Sequence, residues 1–142
     1  MGLTADIATA IAATVAGASG MRGCASADLD TIPGTPYGAV GLPKVRVDQG
    51  AWERVTYTWP VRLFVARVSD GPRTTVAVYD LIDAIVVAFR TGISGGLSAS
   101  GVLETLIETG DADKFYDIGG ETYQALDMTV TTTVGRSTTY TA

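Results

Sequence analysis

The chain has 142 residues, 46% of them apolar, with 10 Lys+Arg against 15 Asp+Glu and a formal net charge of −5. That size and apolar content suit one domain with a packed core and exclude an intrinsically disordered chain. The acidic balance offers no basic face for gripping duplex DNA, and with no histidine and one cysteine, Cys24, the chain excludes His-dependent acid–base chemistry, His-containing triads, Cys-rich zinc sites and an intrachain disulfide.

In chain order, the first segment has an acid at Asp6 and no basic run, unlike a secretory signal, so the expectation is a protein made in a cytoplasm. Leu3, Ile7, Ile11 and Val15 recur every four residues and predict a helix over 3–16. Thr4 suits its start, and Gly17 and Gly20 its end. The rest of that helix is mostly Ala and Thr, so its thin stripe predicts a surface position. Residues 17–37, punctuated by Gly and Pro, read as a long flexible loop.

Strands follow at 39–42 and 44–48, with a turn at Gln49-Gly50. Arg54 to Val68 is the longest strand of the first half. Its odd residues Tyr57, Trp59, Val61, Leu63 and Val65 form the core face, and Pro60 predicts an edge position or a bulge. Asp70 as N-cap and Pro72 in the first turn open a helix that runs to about Arg90 and stops at Gly92. Val78, Leu81, Ile82, Ile85 and Phe89, widened by Val86, make it the principal core helix. A flexible loop at 92–96 precedes a short helix over 102–108, capped by Ser98 or Ser100. Residues 114–118 and 121–134 then pair around Gly119-Gly120 as a hairpin, and 136–142 form a frayed tail. The predicted class is α+β: an antiparallel or mixed sheet packed against one main helix, with an N-terminal helix and a short extra helix, in a single domain over 1–142.

Few residues suggest chemistry. Asp111, Asp113 and Asp117 resemble the start of a calcium loop, but Phe115 takes the third ligand position and the required glycine is missing, so a solvated turn is expected. Asp80 and Asp83, one helical turn apart, make either a carboxylate pair or a polar helix face, and the polar face is preferred. Gly92 to Gly101 lacks the Lys-Ser/Thr of a phosphate loop. No Gly-x-Ser-x-Gly surrounds Ser19 or Ser100, and Cys24 has no His partner. The expectation is no catalytic residue, no cofactor and no metal. Trp52, flanked by Glu53 and Arg54, is either an interface anchor or a ring folded onto its own core. Arg46, Arg54 and Arg62 share even parity along neighbouring strands, so they line one solvated sheet face or one interface.

The layout resembles the tail terminator proteins of long-tailed phages. The residues that carry this are the Ala-rich first helix, the Pro-containing strand Leu42-Pro43-Lys44-Val45, and the strand Tyr57 to Val65. The helix Val78 to Ile85 and the hairpin from Gly119 to Val130, continued by a Thr-rich strand, complete it. The resemblance implies a non-enzymatic virion protein of the head–tail junction. Such a protein forms a homohexameric ring on the tail tube protein, stops tube growth and docks to the head-side connector or stopper. DNA passes through its lumen without specific binding, which suits an acidic subunit, and no membrane is involved. Residues 17–37, 48–54 and 92–101 are then expected to meet neighbours. The alternatives are a head-completion or stopper protein on the capsid side, and a small acidic ligand-binding domain using Asp80, Asp83 or Asp127.

Overall fold

Two long strands form the spine of the molecule because their sequences alternate over more than twelve residues. In the computed structural model, which describes residues 2–49, 53–71, 75–92, 102–110 and 114–135, these are β4 (Arg54–Arg67) and β7 (Glu121–Gly135). They pair antiparallel along almost their whole length, from Arg54↔Gly135 to Arg67↔Tyr123. Before β4 come α1 (Leu3–Ala16), β1 (Gly23–Ala25), β2 (Tyr37–Val40) and β3 (Lys44–Asp48). After it come a 3₁₀ turn (Val68–Asp70), α2 (Thr75–Gly92), β5 (Val102–Thr109) and β6 (Lys114–Ile118).

The seven strands form one mixed sheet. Along the outer side of β4, β3 pairs with its first half and β2 with its second, both antiparallel. Along the outer side of β7, β6 pairs with its first half and β5 with its second. Among the described residues the single parallel pair is β1 with β2, so the expected irregular loop over 17–37 contains a short strand. Gly38, opposite Cys24 in that pair, leaves room for the thiol: a Cβ there would lie 2.7 Å from Sγ.

Pro60 is not at a sheet edge, and β4 is not bulged there. The strand is central, and its register shift lies between Phe64 and Ala66. Gly41 donates its backbone N–H to the Pro60 carbonyl at 2.7 Å. A residue's N–H and C=O point the same way in a strand, so the donor that proline lacks faces the break between β2 and β3, where the ladder needs none.

Both helices lie on the odd face of β4. Ile7, Ile11 and Val15 of α1 are each fully buried, together with Leu81, Ile85 and Phe89 of α2 against Tyr57, Trp59, Val61 and Leu63. The expected surface position for α1 is therefore overturned. Ala8 and Ala12 are buried too; small side chains let the helix come close enough for its thin stripe to fill core. Thr4 does not cap α1 either: Gly2 is the N-cap, and the Thr4 hydroxyl hydrogen-bonds that of Tyr57 at 3.1 Å. On α2, Val86 is exposed instead of widening the stripe. Asp70 lies in the 3₁₀ turn and binds Arg67, with Nε to Oδ2 at 2.9 Å. Pro72 lies outside the described residues.

The short helix expected over 102–108 is a strand. Thr105, Ile107 and Thr109 favour the extended state, and the register shift between Val102 and Glu104 puts the apolar residues out of alternating step. That displacement mimics helical spacing. Its proposed caps, Ser98 and Ser100, lie outside the described residues, as do the loop 93–100 and the tail 136–142. The hairpin at Gly119-Gly120 has φ of 60° and 83°, the positive pair that matches the twist of antiparallel strands.

A second, smaller core lies on the other sheet face. Ala39, Phe64, Tyr123 and Ala125 are buried there under Leu29 and Ile32 of the segment before β2.

Candidate protein–protein interface

Residues directly opposite one another on paired strands project from the same face. Arg46 lies opposite Thr56, and Arg62 opposite both Ala39 and Asp127. Arg46, Arg54 and Arg62 therefore share the sheet face turned away from the helices. The face is long: eight residues of strand separate Arg54 from Arg62, about 26 Å. Arg46, diagonal to Arg54, belongs to one end, and Arg62 to the other.

The two ends differ in chemistry. Arg62 places Nε 3.4 Å from Asp127 Oδ1. Tyr116 donates its hydroxyl to Asp127 Oδ2 at 2.7 Å, and the guanidinium carbon lies 3.6 Å from the centre of the Tyr116 ring. Burial first, and the bond to Asp127 second, push the Tyr116 hydroxyl above its ordinary range. This cluster abuts Phe64, whose ring meets that of Tyr116 edge-on, so Arg62 is tied into the second core.

Arg54 and Arg46 are exposed. Arg54 reaches across β7, at the position of Gly135, to Glu104 of β5, 3.9 Å away. Glu53 is exposed just before β4, and Trp52 lies outside the described residues. Between the two ends the face is paved with half-buried threonines, among them Thr56, Thr58, Thr129 and Thr131, and Leu106 stands exposed beside them.

Apolar exposure that the sequence reading missed lies at the sheet margin. Val45 and Val47 are 52% and 54% exposed, and Leu42, in the turn before β3, is 87% exposed. Their alternation with Lys44, Arg46 and Asp48 reads as a half-buried strand, yet every β3 residue is exposed. The sequence signal was the strand's length: five residues extend only along the first half of β4. On α2 the outward side chains Val76, Tyr79 and Val87 are exposed as well.

No known protein family matches this chain, and comparison with characterised proteins finds no match either.

The carboxylates of the ligand-binding alternative do not converge. Asp80 and Asp83 are exposed on α2, and Asp127 is on the opposite side of the sheet. A groove of about 800 Å³ runs between α1 and α2 with an alanine-rich lining and Asp6 and Asp83 beside it. Among the described residues no group of three or more His, Cys, Asp or Glu is placed to hold a metal ion. Of the calcium-like run, Asp117 is described in β6, and Asp111 and Asp113 lie outside the described residues. Burial pushes the Cys24 thiol up to about 12, which keeps it protonated and a poor nucleophile near neutrality. Among the described residues no helix is long and apolar enough to cross a membrane.

Proposed function

We propose that the chain is a structural subunit of a phage neck: a tail terminator that forms a ring, caps the tail tube, stops its growth and joins the tail to the head-side connector. One observation carries the reading. Among the described residues two of the sheet's edge strands, β3 on the β4 side and β5 on the β7 side, have no partner along their outer edge, and each carries exposed aliphatic side chains, Val45 and Val47 against Leu106. A ring closed by rotation needs two unlike lateral surfaces on every subunit. It also needs surfaces along its axis, and the exposed apolar side chains of α2 offer one. The net charge of −5 suits a lumen that lets DNA slide without holding it.

Pull-down with the tail tube protein and with the portal-side protein tests the reading. Retention on tube protein, with a ring at the head–tail junction in electron micrographs of the particle, is the expected result. Retention on the portal side alone reassigns the chain to a stopper, and binding to neither overturns the neck assignment.

A further inference from the structure

The two flanks fit one another. β3 runs antiparallel to β4, β4 to β7, and β7 to β5, so β3 and β5 run in opposite directions. When a second copy stands beside the first in the same orientation, β5 of one meets β3 of the other antiparallel, and each sheet face continues into the same face of its neighbour. The strands also lie at the same height. Arg46 is opposite Thr56, Thr56 opposite Thr133, and Thr133 opposite Glu104. Arg46 and Glu104 thus share one row across the sheet, on the face away from the helices. On that face the next row holds Lys44 and Leu106. On the helix face, Val45 shares a row with Thr105, and Val47 with Val102.

We propose that the free edge of β3 in one copy adds to the free edge of β5 in the next, antiparallel and in register, with Arg46 opposite Glu104, so that the sheet continues from subunit to subunit. This deepens the ring reading above and rests on it. The occupant is a second copy because the charges are complementary. Lys44 and Arg46 stand on one edge; Glu104 and Glu108 stand on the other, all four exposed. In register, Lys44 falls opposite Leu106, diagonal to both glutamates and within reach of a long side chain. The chain selects this register. A slip of one residue turns every side chain to the wrong face. A slip of two toward Glu108 sets Asp48 against Glu104, and a slip of two the other way carries Arg46 past the end of β5. Row for row, the exposed Val47 gains Val102 as an apolar neighbour, and the exposed Val45 packs beside Thr105. Strand addition of this kind supplies affinity through main-chain hydrogen bonds and specificity through the side-chain rows.

Cysteine cross-linking tests it. Lys44→Cys and Leu106→Cys, combined in a Cys24→Ala background, bring two thiols to one row at a spacing that a disulfide spans. Both positions are exposed. Oxidation is expected to give a ladder beyond the dimer on a non-reducing gel, whereas either cysteine alone stops at the dimer. A paired variant that stays monomeric, or that also stops at the dimer, overturns the proposal. In the same paired background, Arg46→Glu or Glu104→Arg is expected to cut the ladder about tenfold. An equimolar mixture of the two recovers it, because the new acid of one copy meets the new base of the other. Lack of recovery contradicts the register. The two readings fail separately: rings at the neck without the ladder sink the edge pairing alone, and a ladder without binding to tails or heads sinks the neck assignment alone.

Discussion

Trp59 shows what single residues contribute to this core. Its ring stacks on Tyr57 at 5.6 Å, and its Nε1–H donates to Thr132 Oγ1 at 3.1 Å inside the main core. An indole N–H has no second role, so its partner must be present when water is absent. Thr132→Val is expected to cost about 1–3 kcal/mol by leaving that N–H unsatisfied. Trp59→Phe combined with Thr132→Val removes both halves of the bond, and the pair is expected to cost less than the sum of the single changes. Denaturant unfolding of the three variants checks this; strict additivity would contradict it. Cys24 is a second case. Burial raises its thiol from 9.0 to about 12, so the folded protein keeps a proton that the unfolded chain releases above about pH 9. This contribution to stability is present below pH 9 and is lost as pH rises toward 12. Relative to Cys24→Ala, the native protein is expected to lose melting temperature over that range. At pH 8 its half-buried thiol should react with Ellman's reagent more slowly in the folded protein than in the unfolded chain; equal rates would contradict the burial argument.

At the scale of elements, α1 is the main correction. Its apolar row reads as thin because alanine contributes little hydrophobicity, yet alanines at positions 8 and 12 are what allow a close approach to the sheet. Ile11→Ala is expected to cost about 2–5 kcal/mol, the range for truncating a fully buried aliphatic side chain. Thr9→Ala on the exposed side should stay within about 0.5 kcal/mol, and equal effects in chemical unfolding would contradict a core role for α1. The long elements were legible in the sequence because alternation over β4 and β7, and the stripe Val78, Leu81, Ile85, Phe89, persist for several periods. The hairpin was legible because two glycines in succession permit the positive φ pair. β1 was not legible, since three residues carry no period. β5 was misread because one bulge shifts its alternation. Of the candidate interface, the shared face of Arg46, Arg54 and Arg62 was visible as strand parity. The tie of Arg62 to Asp127 and Tyr116 was not, since it joins residues 11 and 65 positions apart.

At the scale of the whole molecule, the architecture is asymmetric in a useful way. Two helices cover one sheet face, a loop covers half of the other, and among the described residues β3 and β5 each keep one edge without a partner strand. Exposed edges are ordinarily hazards; Lys44 and Arg46 on one edge and Glu104 and Glu108 on the other share one face, and under the proposed edge pairing that hazard becomes a specific contact. The central claim is that this chain acts by assembling with itself on the end of a tail tube. Electron microscopy of tail tube protein polymerising with and without the purified chain tests it most directly. The account predicts shorter tubes bearing a single extra ring at one end; tubes of unchanged length with bare ends would contradict it.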